Sequence, residues 1–456
     1  MENLSRKGFN RTVEAFGFKG MNNLPGAPAA LVDRERQITP AIVLNADVMD
    51  GGPVKVRGGY ILTAVLTNCH SVAAEERSLS VMLCVADGTT YPQSLYRVDG
   101  AVATELCEVT GPPMIPVNYE EIDGTIYAGN LYWKATYDLL TETVGTWGVT
   151  LPPAPQISLV AGNLPPGTYS LCYTNVVGDR LGGNGPLVQI SWEGDQQGIQ
   201  INNLPSGALC WMTHPNGKEL FYAPVSAGAI SAQSPWLRPL PSFMVTAPPG
   251  FTHFIYAFGR IFGARGKTVY FSEPNQYEWF KPKGFFPFTE DIVLMAPVTS
   301  GIFVNSLTST WFLQGDDPSR RGNEPGKMTS RRVGNGAVPG TLTMVQAPAE
   351  IAGGAQTSEL FALLSKMPTP VWMAPTGFVV GTHRGNLTYL TENRMSIQVR
   401  SQGASLYRIT DGVPQILTSL YGVSSGANDL QEVFVRGRIY DPEPLEIIGE
   451  GGVEVG

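Results

Sequence analysis

Charge is scarce in this chain. Asp, Glu, Lys and Arg make up 15% of its 456 residues, where ordinary soluble domains carry about a quarter. The scarcity does not signal disorder, because 43% of the residues are hydrophobic and a core of useful size is available. It points to a surface much of which faces other protein. Cations are the scarcer sign: 31 Lys and Arg against 39 Asp and Glu leave a net charge of −8. The most basic stretches, Ser5–Arg11, Lys55–Tyr60 and Ser319–Arg332, are short and read as solvated loops. Sequence-specific nucleic-acid binding needs a basic stripe and gets little support.

Cysteine is sparse and badly spaced for cross-linking. Cys69, Cys84, Cys107, Cys172 and Cys210 are odd in number, with no CxxC. A disulfide framework and a zinc site are both disfavoured, and buried free thiols in a reducing cytoplasm are the expectation. No stretch near Met1 has the form of a signal peptide, and no run approaches the roughly 18 apolar residues of a membrane helix. The expectation is a soluble protein without membrane insertion and without a standard export signal.

Motifs of catalysis are missing too. His70, His214, His253 and His383 are far apart and form no local ligand pair. No nucleophile elbow, P-loop or dinucleotide fingerprint occurs. Gln314–Gly326 does gather Asp316, Asp317 and Glu324, and paired carboxylates can hold a hard cation or cleave a glycoside. But Asp317-Pro318 after Gly315 reads as a turn, and Arg320 and Arg321 would neutralise the acids. The repeated Ser-x-Asp-x-Gly-x-x-Trp boxes of sialidases do not occur. No catalytic, cofactor-binding or metal-ligating residue is assigned, no cofactor is expected, and the chain reads as a non-enzyme.

Abundant instead are glycine and proline, 52 and 36 residues spread along the whole length. That distribution describes many short strands joined by tight turns. Helix signals are few, the best being Thr357–Met367, with Leu360, Leu363 and Leu364 at helical spacing. Three segments, starting at Gly259, Gly301 and Gly377, share a plan of glycine, short apolar strand, polar turn and second strand. Weaker versions start at Ser80, Gly124 and Gly403. Such a hairpin is the inner part of a β-propeller blade. Blades recur at about 40–50 residues, so the 42-residue and 76-residue offsets predict one blade and then two.

Between the hairpins, Tyr169, Leu171 and Tyr173 alternate with Ser170, Cys172 and Thr174, and Asn216-Gly217 stands as a hairpin turn. This predicts an antiparallel sandwich resembling an immunoglobulin or fibronectin type III module. The fold class expected is all-β: a β-propeller-like body with that sandwich inserted. The divisions are an N-terminal arm at 1–30, the first part of the body at 31–151, the sandwich at 152–238, the second part of the body at 239–440 and an acidic tail at 441–456.

From Tyr270 to Phe288, eight of nineteen residues are aromatic. Pro274 should end the strand from Lys267, and the following residues should cross to the next blade. Tyr277, Trp279, Phe280, Phe285, Phe286 and Phe288 are too dense for an open cage. Packing between blades is expected, ahead of a protein interface or a small-ligand site.

The order of the pieces resembles a family of tailed-bacteriophage virion proteins, the β-propeller tail nozzle and hub type. The resemblance runs through Phe16–Val32, Gly51–Tyr60, Leu95–Gly100, Thr146–Pro155, Leu164–Val176, Gly259–Pro274, Trp311–Ser319, Gly334–Thr341 and Gly377–Met395. The chain departs from the family's pattern at "KVR" and at the short turn "VVGDRLGGNGP". The resemblance implies a structural subunit in the virion tail, assembled in the host cytoplasm. It would form part of the DNA conduit below the portal and adaptor and help retain and release the genome. Implied partners are copies of itself in a six-fold ring, the portal or adaptor, other tail proteins, tail fibres, and genomic DNA in transit without sequence specificity. The alternative is a receptor- or glycan-binding propeller of the tail, or a depolymerase. Low charge suits a conduit wall that does not grip DNA, and the acidic tract Asp441–Gly456 is a candidate to line or plug the lumen.

Overall fold

The computed structural model describes residues 65–75, 78–233, 238–320, 324–345, 367–390, 399–410 and 413–423, with six short strands outside them. Thr357–Met367 (except Met367), the N-terminal arm (except Ala30) and most of the acidic tail lie outside the described residues. Every described element is a strand, as 52 glycines and 36 prolines in short spacing require. Two hairpins come first: β1 (Ala30–Val32) with β2 (Ile38–Pro40), and β3 (Ala46–Val48) with β4 (Val54–Val56). The chain divides into two compact units, one of residues 66–291 with 317–319, the other holding the remainder.

The unit of residues 66–291 holds three four-stranded antiparallel meanders. The first is β5 (His70–Glu75), β6 (Ser78–Ala86), β7 (Ser94–Asp99) and β8 (Val102–Glu108). The second is β9 (Asn118–Ile122), β10 (Thr125–Gly129), β11 (Lys134–Asp138) and β12 (Thr143–Thr146).

A two-sheet sandwich follows. Its smaller sheet pairs β13 (Ile157–Leu164), β17 (Gln197–Ile201) and β20 (Ala229–Ile230). The larger is built on β14 (Gly167–Val177), flanked by β15 (Arg180–Asn184) and β16 (Val188–Trp192) on one side. On the other side come β18 (Leu209–Thr213) and β19 (Leu220–Tyr222). The alternation read in β14 is present: Tyr169, Leu171 and Tyr173 enter the core between the sheets with Ile199, Ile201 and Ile230. Cys172 faces the other way, against Trp211 and Leu240. Asn216, at φ 60, turns the chain between β18 and β19.

The third meander is β21 (His253–Ala257), β22 (Arg260–Arg265), β23 (Thr268–Glu273) and β24 (Gln276–Pro287). Here one expectation is corrected. Pro274 does end β23, but the aromatic stretch does not cross to another sheet. Glu273 pairs with Gln276, and Asn275 at φ 54 completes a tight reversal, so Tyr277–Phe286 form the outer strand of the same sheet. Proline sets the first turn residue and asparagine tolerates the left-handed second, which makes a hairpin out of what reads as a strand stop.

These sheets bury both faces. In β10, Ile126 and Ala128 pack with Leu83, Val85 and Leu95 of the first meander. Tyr127 between them packs the opposite way, with Phe251, Phe254, Ile261 and Phe280 of the third. Strand alternation sends successive side chains to different neighbours, so each sheet supplies half of two cores. That repeated face-to-face burial is what makes the body β-propeller-like.

The other unit repeats the plan. A meander of β25 (Leu294–Val298), β26 (Gly301–Asn305), β27 (Ser309–Gln314) and β28 (Thr329–Asn335) is followed by another. The latter is β29 (Thr343–Val345), β30 (Thr369–Ala374), β31 (Gly377–Gly381) and β32 (Leu387–Tyr389). Phe303 and Phe312 of one meet Trp372 and Val379 of the next. Val371 and Val380 then pack on Tyr407 and Ile416 of the hairpin β33 (Val399–Thr410) and β34 (Val413–Val423). A last short pair joins β35 (Glu446–Ile447) to β36 (Val453–Glu454).

The 76-residue offset is therefore not two blades. Gly301 opens the second strand of its sheet, whereas Gly377 opens the third strand of the next. The longer interval also holds residues 346–366 between β29 and β30. A glycine-led hairpin looks the same whichever two strands it joins.

Candidate functional site

Arg180 is the first residue of β15, in the glycine-rich stretch "GDRLGGNG", and the β14–β15 hairpin carries the sandwich onto the flanking sheets. Its guanidinium donates to the Glu278 carboxylate and, at 2.6 Å, to the carbonyl of Thr146. Trp279 donates its indole N–H to Leu181 O at 2.9 Å. Ser242 Oγ donates to Gly182 O at 2.7 Å, and Asn184 Oδ1 accepts from Met244 N at 2.6 Å. The paired glycines permit this approach. A Cβ at Gly183 would stand 1.8 Å from Val245 O, and one at Gly182 would stand 2.8 Å from a Val149 methyl. Side-chain-bearing residues there would hold the two backbones apart.

The aromatic strand serves the same junction. Trp147 donates to Tyr277 O at 3.0 Å and packs on Phe254 with ring centroids 4.9 Å apart. Tyr277 stands edge-on to Tyr127 and Tyr256. Phe280 is buried, Tyr277 and Trp279 are half-buried, and Phe285 is exposed. The stretch thus combines packing between sheets with a clamp on the sandwich.

The singled-out titratable residues do not converge. His253 Nδ1 donates to the neighbouring carbonyl, Thr252 O, and burial lowers its pKa to about 4. His214 packs on Phe221 with the rings tilted by 57° and shares a hydrogen bond with Gln233. His383 lies near the hydroxyls of Thr299 and Thr369 at 3.3 and 3.4 Å, and burial lowers its pKa. His70 shares a hydrogen bond with Ser71 Oγ at 2.7 Å; burial lowers its pKa, opposed by Asp87. Among the described residues no group of three or more His, Cys, Asp or Glu could hold a metal ion.

Asp317 is part of a turn, as read, accepting from Ser319 N at 2.9 Å. Its cation is one the sequence did not indicate. Arg260, buried in β22, reaches Asp317 at 3.4 Å and also donates to Ser272 O. Arg320 donates to Pro325 O, and Arg321 lies outside the described residues. Elsewhere, Glu105 accepts from Ser94 and Thr89 hydroxyls and from Thr90 N, and those bonds hold its pKa at about 2. It ties the β6–β7 turn to β8.

Arg180 was missed in the sequence because a charge at the start of a strand carries no sign of its distant partner. The one available signal was the concentration of glycine behind it, which marks a place where another backbone comes close.

No protein-family model matches the chain, and no curated protein matches it. Solved structures similar to it include BBS1N in complex with ARL6DN, at 9% identity and TM-score 0.26, covering 80% of this chain and 94% of that one. Apo AztD from Citrobacter koseri is 12% identical at TM-score 0.25, covering 73% and 86%. Dipeptidyl peptidase 4 from Porphyromonas gingivalis is 10% identical at TM-score 0.28, covering 92% of this chain and 60% of that one. Likeness at this level carries no argument about function, and the fold rests on the strand pairing itself.

Proposed function

We propose that the chain is a structural subunit of a bacteriophage tail, of the nozzle or hub type, forming part of the DNA conduit and assembling with copies of itself. The observation that carries this reading is the fixed seat of the sandwich. Arg180, Trp279, Ser242 and the Gly182-Gly183 contact hold it at a set angle to the adjoining sheets. A side domain held this way presents its outer residues in one direction, as a repeated subunit requires. Leu151, Leu187, Phe243 and Met244, on or beside the sandwich, are exposed apolar residues available to a neighbour. The low charge content and the order of motifs from Phe16 to Met395 support the same reading. Electron microscopy of purified particles carrying an epitope-labelled chain, with mass measurement of isolated tails, tests it. The label should mark the tail, with an integral ring of copies. Absence from particles, or one copy per particle, would overturn it.

A further inference from the structure

The sandwich has an open edge. β13 pairs with β17 on one side only and ends the smaller sheet. Asn202 N donates to Gln156 O at 2.9 Å, so alternate residues of β13 from Gln156 onward turn their backbone groups to β17. Ile157 and Leu159, between them, turn theirs outward, where no other described strand pairs with them. Leu159 stands opposite Ile199, which is fully buried in the core between the sheets. Leu159 shares that inner face, yet it is 42% exposed. The core is therefore uncovered along β13, where the three-stranded sheet stops.

Long edge strands are usually guarded by charge or proline, which block pairing with another chain. Among the described edge strands of six or more residues, β5 and β8 carry glutamate, β28 and β33 arginine, β24 lysine and proline, and β34 proline. β13, "ISLVAGNL", carries neither charge nor proline. The guard stands only beyond its ends, with Pro152, Pro153 and Pro155 before it and Pro165 and Pro166 after it. The uncharged stretch extends well past the strand, with no Asp, Glu, Lys or Arg between Glu142 and Asp179.

We infer that β13 is a self-pairing edge, on which a second copy of this chain lays its own β13 antiparallel, about a two-fold axis near Ser158 and Leu159. A two-fold contact sets every residue against a residue of the same strand, so any charge in it would meet its like across the axis. This stretch has none. Nor does it offer a charge by which a foreign segment could be selected. The outward groups of Ile157 and Leu159 recur at the two-residue period of a strand, and an antiparallel copy presents the same groups at the same spacing. Pairing joins two three-stranded sheets into one continuous sheet and covers Leu159 of each copy. The bulge between Ala161 and Leu164 and the flanking prolines confine the match to Gln156–Ala161. So small a contact should be reversible. A two-fold contact does not close a ring, and this one stands whether or not the chain is found in tails.

The test uses the purified full chain, weighed by light scattering during gel filtration as its concentration rises to about 100 μM. The expected result is a reversible monomer–dimer equilibrium. Hydrogen exchange across 156–161 should slow as the dimer forms, while exchange in the interior strand β14 should not change. Leu159→Pro removes an outward N–H and no bond to β17. Ser158→Lys, at an exposed position, sets two cations near the axis. Each variant should keep the melting temperature of the monomer and weaken dimerisation at least about tenfold. Should Leu159→Pro fail to fold, Ser158→Lys decides alone. A chain that stays monomeric at that concentration, bare or holding a segment of another protein on this edge, would overturn the inference. So would an assembly that Ser158→Lys leaves intact, or whose formation leaves exchange at 156–161 unchanged. Each outcome is read on isolated protein, so failure here is separate from failure to find the chain in tails.

Discussion

Trp279 Nε1 donates to the backbone carbonyl of Leu181 at 2.9 Å. One residue belongs to the outer strand of a four-stranded sheet, the other to a hairpin of the sandwich, 98 positions earlier. Beside it the Arg180–Glu278 pair has side-chain exposures of 34% and 16%, so it is neither a surface pair nor a fully buried one. The sandwich is attached by directional bonds as well as by packing, and its orientation is thereby set.

Loss of that attachment should be measurable. Arg180→Ala removes the partner of a half-buried carboxylate and a bond to Thr146 O, and should cost about 1–2 kcal/mol, discounted for the exposure of the arginine. Trp279→Phe keeps most of the ring and removes one hydrogen bond, and should cost about 1 kcal/mol. Thermal unfolding gives the magnitudes. Limited proteolysis should show faster cleavage near 147–155 and 238–247 in both variants, and unchanged cleavage there would mean that these bonds do not set the attachment.

Two glycines of one hairpin should respond to alanine for different reasons. At Gly183 a Cβ meets Val245 O at 1.8 Å, so Gly183→Ala must push two backbones apart and should cost at least about 2–3 kcal/mol. At Gly178 the space is open and only the φ of +59 is unfavourable. Gly178→Ala should cost about 1 kcal/mol. Denaturant midpoints of the two variants check the order, and a reversed order would show that the close approach at Gly183 does not exist in solution.

The segment 152–238 should fold alone, because its two sheets share a core of Tyr169, Leu171, Trp192, Ile199, Met212 and Ile230 drawn from within it. The isolated segment should melt cooperatively, at a lower temperature than in the full chain, since the Arg180 and Trp279 bonds are lost. A product without a cooperative transition would make it part of the body and not a domain.

Acid should weaken the chain in two windows. His253 is lowered from 6.5 to about 4. The unfolded state therefore takes up its proton first, and stability falls as pH drops from 6.5 to about 4. Glu105 is lowered from 4.5 to about 2. Its contribution is complete above pH 4.5 and is lost as pH falls toward 2. Melting temperature against pH should show a shallower upper slope in His253→Gln and a shallower lower slope in Glu105→Gln. Identical profiles in all three proteins would show that neither group is linked to folding.

Much of the architecture is legible in the sequence. Scattered glycine and proline with short alternating apolar runs dictate strands and tight turns, and the alternation in Tyr169–Thr174 assigned each face of β14 to its own core. These are local properties, set by steric preference and by the two-residue period of a strand. Whether Gly377 opens a second or a third strand is not local, since only pairing with β30 and β32 decides it. Nor is the course of the chain after Pro274, where a stop and a reversal share the same two residues until β24 pairs back on β23. The partners of Arg180 and Arg260, 98 and 57 residues away, were invisible for the same reason. A charge in a turn or a strand declares its need for a counter-charge, and only the folded chain determines which carboxylate meets it.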